Sequence, residues 1–265
     1  MVGQAPAIIL ELEDASTALC LNSAGTADSG KNHYKVENVE LRAKQIRFNA
    51  MFNASFEKTL AEAGNVGINY ITESFLSNQG SVPTLTSGEY NIPFSCNPRS
   101  AKYILACHRL ESEITSVGEH SIVNRLGMEV SQYNFEISGK MYPQQPIKIS
   151  NTDYCNAYAQ VLDCMGQIGA LNHNTLVSVA ETNTLWFSQT ETTHCKFLAG
   201  LPLEDFNSAT NPSVYSGMNL TTVGQLTYRP TIGHGTTGGA YRIDLITSID
   251  MSIHFTADGR MYSVK

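Results

Sequence analysis

From Arg242 to Thr256 the side chains alternate without a break. Ile243, Leu245, Thr247, Ile249, Met251, Ile253 and Phe255 share one face, and Arg242, Asp244, Ile246, Ser248, Asp250, Ser252, His254 and Thr256 share the other. Period-two patterning predicts a strand with one face on a core and the other nearer water. This strand is long beside the usual length of about 5–6 residues. Asp258-Gly259 then predicts a tight turn into a short returning strand, Met261–Val264. A chain closing this way points to an all-β architecture.

Similar alternation recurs upstream. Tyr34–Phe48 reads as a long strand in which Val39, Leu41 and Ala43 share a face before Ile46 and Phe48 change parity, so a β-bulge is expected near Lys44-Gln45. Ile68–Leu76, Tyr90–Cys96, Lys102–Glu111, Cys195–Leu203 and Leu220–Pro230 also read as strands, with weaker signals at Val177–Ala180 and Thr184–Phe187. Ser138-Gly139-Lys140 turns Tyr133–Ile137 into Met141-Tyr142 as a compact hairpin. Two segments switch to helical spacing. In Ala50–Ala63 the periodic residues are Phe52, Phe56, Leu60 and Ala63, with Gly64 as the stop. In Asn151–Gly169 a stripe of Tyr154, Ala157, Tyr158, Val161, Leu162, Met165 and Ile168 follows cap candidates Ser150, Asn151 and Thr152. Loops are expected at Asn22–Asn32, Ser77–Gly88, Ser112–Ser121 and Thr231–Ala240. No repeat of fixed period stands out. Eight or more strands interrupted by two helices predict an all-β, antiparallel jelly-roll β-sandwich, two facing sheets with Greek-key connections.

Composition narrows the function. Charged residues make up 15% of the 265-residue chain, against about 25% ordinarily. Such a shortage fits surfaces that end against neighbours, although abundant Ser, Thr and Asn would also account for it. The net charge is −7 and no basic cluster appears, which argues against direct wrapping of nucleic acid. No apolar run reaches bilayer-spanning length, and Met1-Val2-Gly3-Gln4 does not open a secretory leader. The cysteines at 20, 96, 107, 155, 164 and 195 therefore read as free buried thiols of a reducing compartment. Asn53-Ala-Ser55 and Asn219-Leu-Thr221 match the glycosylation pattern, which means little without a leader.

Each reactive candidate has an ordinary explanation. His194-Cys195 and Cys107-His108 are neighbours on strands and point to opposite faces, so neither forms a nucleophile–base pair. Cys155 and Cys164 fall on opposite sides of their helix. No Cys or His spacing builds a zinc site. Gly233-His234-Gly235 with Gly238-Gly239 lacks the helix a phosphate loop requires. Glu11-Glu13-Asp14 and Glu111-Glu113 read as solvated carboxylates rather than a cation site. Trp186 beside Phe187 could form a sugar platform, but a lone Trp is usually a packing anchor. No catalytic residue, cofactor or metal ligand is assigned, and the chain is not read as an enzyme. A structural assembly protein leads, with a carbohydrate-binding adhesin-like β-sandwich as the alternative.

Whole segments also resemble, in order and spacing, the C-terminal jelly-roll part of the major capsid proteins of polinton-like viruses and related double jelly-roll eukaryotic DNA viruses. YKVENVELRAKQIRF (Tyr34–Phe48) resembles the strand that opens the second barrel, and FEKTLAEAG (Phe56–Gly64) the helix after it. IPFSCNPRSAKYILACHR (Ile92–Arg109) resembles two successive strands, and YNFEISGKMYPQQPI (Tyr133–Ile147) a hairpin followed by the YCNAYAQVLDCMG helix (Tyr154–Gly166). GQLTYRP (Gly224–Pro230) and YRIDLITSIDMSIHFTADGRMYSVK (Tyr241–Lys265) resemble the last strands, so the similarity spans residues 5–265. The resemblance implies a structural capsid protein of the virion, made in the host cytoplasm or nucleus. Such proteins usually carry two barrels per chain and form trimers in an icosahedral shell. Members have a full first barrel ahead of these segments, where this chain has about thirty residues. The expectation is therefore an N-terminal strand or arm over residues 1–32 that completes a neighbouring sheet, and one jelly-roll domain over 33–265. Its partners would be copies of itself in a homotrimer and capsid lattice, together with other capsid proteins.

Overall fold

The computed structural model describes residues 11–12, 35–40, 47–63, 68–82, 87–114, 125–150, 154–165, 197–204, 217–222, 225–232, 240–255 and 261–264. In chain order the elements are α1 (Ala50–Ala63), β1 (Ile68–Val82), β2 (Gly88–Glu89), β3 (Ile92–Phe94), β4 (Ala101–Leu110), α2 (Glu111–Ile114), β5 (Val130–Ile137) and β6 (Lys140–Lys148). They continue with α3 (Cys155–Cys164), β7 (Ala199–Pro202), β8 (Leu226–Ile232), β9 (Tyr241–Phe255) and β10 (Met261–Val264).

The strands form two antiparallel sheets. One runs β1-β9-β4-β7, with β10 also on β9; the other runs β2-β8-β5-β6, with β3 also on β8. Counting β2 and β3 as one interrupted strand and β10 as an appendage leaves eight strands, in the orders 1-8-3-6 and 2-7-4-5. Every connection crosses between sheets except the β5–β6 hairpin, which is the jelly-roll topology. That hairpin turns at Ser138 and Gly139, with φ of 51° and 75°. Paired positive φ values define the tight turn whose twist matches its flanking strands.

The inner faces meet in one apolar core. It includes Ile104 and Ala106 of β4, Tyr133, Phe135 and Ile137 of β5, Leu226 and Tyr228 of β8, and Ile243 and Leu245 of β9. Each large side chain fully removed from water contributes about 1.5–3 kcal/mol. The sheets approach closely at Gly80, where a Cβ would lie 2.7 Å from Ile92 Cγ2 of the facing sheet.

Several sequence expectations are corrected. The water-facing side of β9 is largely buried: Asp244, Ser248, Asp250 and Ser252 are covered. Its alternation records which face meets the opposite sheet, while polar neighbours cover the other face. β1 runs on to Val82 through the expected loop at Ser77–Gly88, because pairing with β9 continues to Val82↔Tyr241. Residues 35–40 and 47–49 carry no strand pairing, and the rest of the strand expected at Tyr34–Phe48 lies outside the described residues. The expected bulge at Lys44-Gln45 lies outside the described residues.

The helix expected over Asn151–Gly169 is described over Cys155–Cys164, with Tyr154 as its N-cap and no side-chain cap bond. α2 adds a single helical turn where a loop was expected. The strand expected at Tyr90–Cys96 is confined to β3, Ile92–Phe94, and β2 adds a short pairing just before it at Gly88–Glu89. β7 is confined to Ala199–Pro202, and β8 continues past Pro230 to Ile232. The weak strand signals at 177–180 and 184–187 lie outside the described residues. So do His194-Cys195, Trp186-Phe187, Gly233–Gly239 and the Asp258-Gly259 turn.

Candidate assembly surfaces

The reactive candidates that are described do not converge. Cys107 and His108 point to opposite sides of β4, as strand geometry requires. Cys107 packs with Val161 and Leu198, whereas His108 stacks on Phe197 and Tyr228 with ring centroids 5.3 and 5.7 Å away. Neither His108 ring nitrogen, nor the Tyr228 hydroxyl, has a hydrogen-bond partner among the described residues. Burial lowers the His108 pKa from 6.5 to about 4, and the Leu126 backbone offsets this only in part.

Cys96, Cys107 and Cys164 are buried free thiols, and burial raises the pKa of each. Cys155 is free but exposed, which corrects the expectation that all six are buried. Cys20 and Cys195 lie outside the described residues. Among the described residues, no group of three or more His, Cys, Asp or Glu side chains is placed to hold a metal ion.

Polar side chains on the outer face of the first sheet are engaged with one another. Asp244 is clamped by Arg109 Nη2 at 2.5 Å and Arg242 Nε at 2.6 Å. Glu73 Oε1 accepts from Ser248 Oγ at 2.5 Å and from the Tyr103 hydroxyl at 3.1 Å. Burial, with the Glu73 charge as the second cause, pushes the Tyr103 pKa up to about 12. Asp250 Oδ2 accepts from Ser100 Oγ at 2.6 Å, and that oxygen accepts from the Gly217 amide at 3.0 Å. A Cβ at Gly217 would lie 2.5 Å from the Ala101 carbonyl carbon and oxygen, so only glycine fits beside this knot. These contacts tie neighbouring strands and loops together across the outer face of the sheet.

The apolar surface is arranged differently. Asn49 caps α1 by accepting from the Phe52 amide at 2.8 Å. Spacing of four residues then places Phe48, Phe52 and Phe56 in one row, with successive ring centroids 4.3 and 6.4 Å apart. The row is exposed, Phe48 at 54%, and the adjacent Met51 is 83% exposed. A 14-residue helix is only marginally stable in water by itself, so this ridge gains from being covered. Tyr70 and Phe75 of β1 are 59% and 58% exposed. Charge patterning from sequence did not reveal these surfaces. The α1 period did, but it could not show that the stripe faces solvent.

No family model matches the chain, and no curated protein matches it. Among solved structures, VP54 of the virus PBCV-1, fitted into a cryo-EM reconstruction of the virophage Sputnik, aligns at 9% identity with a TM-score of 0.44 over 75% of this chain and 51% of that one. A quasi-atomic model of the PBCV-1 capsid aligns at 9% identity with a TM-score of 0.45, over 76% and 52%. The cryo-EM structure of the Sputnik virophage aligns at 10% identity with a TM-score of 0.40, over 75% and 38%. The chain thus spans about half the length of these proteins or less. The strand order described above, and not this likeness, carries the fold assignment.

Proposed function

We propose that the chain is a structural capsid subunit of a virion that self-assembles through jelly-roll trimers into an icosahedral shell. The observation that carries this reading is an eight-strand jelly roll, in the orders 1-8-3-6 and 2-7-4-5, that presents an uncovered aromatic ridge at Phe48, Phe52 and Phe56. The segment resemblance to polinton-like capsid proteins supports the same reading, as does the low charged fraction of 15%. Work in this protein is packing. The sandwich supplies a rigid block, and exposed apolar rows supply the contacts. Residues 1–32 act as an arm on a neighbouring sheet, and 33–265 form the block. The acidic balance of −7 leaves genome contact to other components. Assembly takes place in the host cytoplasm or nucleus. Electron microscopy of the expressed chain tests the reading. Discrete trimers or closed shells support it; dispersed single units that bind a glycan array overturn it.

A further inference from the structure

We propose that β1 is a self-pairing edge, along which two copies join antiparallel about a two-fold axis into one continuous sheet; this rests on the assembly reading above.

The sheet edges are treated unequally. β6 carries Lys140, Pro143, Pro146 and Lys148, and its pairing with β5 shifts register between Tyr133 and Phe135. Prolines, lysines and irregular register are the ordinary means of blocking an edge. β7 is four residues long, ends at Pro202, and has both backbone polar groups of Gly200 engaged by the Tyr133 hydroxyl. β1 has none of these protections. It is fifteen residues long, contains no proline and has one charge, Glu73. Among the described residues, it pairs with a strand only on the β9 side, and its edge away from β9 has no strand partner along about 50 Å at strand rise.

The sequence of this edge favours a second copy as occupant. Phe75 is the midpoint of Ile68–Val82, so a two-fold axis at Phe75 pairs all fifteen residues. In that register Phe75 meets the partner's Phe75 on the outer face, which accounts for its exposure, and aromatic cross-strand pairs are favourable. Glu73 falls opposite the partner's Ser77, so the lone charge never meets its own copy. Fifteen residues a side is fewer than the 20–30 of a standard interface, so the contact is concentration-dependent and suits a reversible lattice.

Sedimentation of the full chain tests this with Phe75→Lys, Phe75→Glu and their mixture. Circular dichroism matching wild type establishes that each variant folds. Each variant alone should weaken self-association by about tenfold or more, through like-charge repulsion and the lost ring pair. Mixing the two should restore association, since Lys then faces Glu. Wild type and both variants associating equally would overturn the edge contact while leaving the assembly reading intact. A wild-type chain that stays monomeric would overturn both. Dimers that follow the charge rule but never enlarge would support the edge and defeat the shell.

Discussion

The Tyr133 hydroxyl donates to the Gly200 carbonyl at 3.2 Å and accepts from the Gly200 amide at 3.3 Å. One side chain of β5 thereby satisfies both backbone polar groups of a residue in the opposite sheet. Gly200 is hemmed in elsewhere by α3, since a Cβ there would lie 3.1 Å from Cys164 Sγ and 3.2 Å from the Val161 backbone. Sheet, sheet and helix meet at this point.

Removing the hydroxyl with Tyr133→Phe leaves two buried backbone groups without that partner. The expected loss is about 1–3 kcal/mol, read as a lower midpoint in urea at unchanged slope. Gly200→Ala should also destabilise, because the helix backbone must give way.

His108 should make the fold acid-sensitive. Its folded-state pKa is lowered from 6.5 to about 4, so between these values the unfolded chain binds the proton and the folded chain does not. The stability linked to this residue is complete above about pH 6.5 and is lost as pH falls toward about 4, by about 3 kcal/mol in all. His108→Phe keeps a ring between Phe197 and Tyr228 and should flatten that part of the stability–pH curve. Thermal melts from pH 4 to 7 check it.

Ser100→Ala withdraws a donor from the buried Asp250 carboxylate and an acceptor from the Gly217 amide. Hydrogen bonds to charged groups contribute about 1.5–3 kcal/mol, so the melting temperature should fall by several degrees. Gly217→Ala should be worse, because its Cβ meets backbone and not a movable side chain.

Phe52→Glu interrupts the aromatic row on α1 at an exposed site. Folding stability should change by less than about 0.5 kcal/mol, as for surface substitutions generally, while assembly is lost. Denaturation and light scattering on the same sample separate the two effects.

Local sequence exposed much of this fold. The α1 period gave Ala50–Ala63 to the residue, and the alternation of β9 identified Ile243, Leu245 and Ile249 as buried. Partners were not legible. Nothing near Ser77 says that β9 holds it in a strand, and nothing near Asp244 says that Arg109 covers it. The candidate surfaces were hidden for the same reason, because a helical stripe such as Phe48-Phe52-Phe56 reads alike whether it faces a core or solvent.

Native mass spectrometry across a concentration series tests the central claim most directly. The account predicts masses at multiples of 28.9 kDa that grow with concentration. A folded chain that holds a single 28.9 kDa species throughout would contradict it.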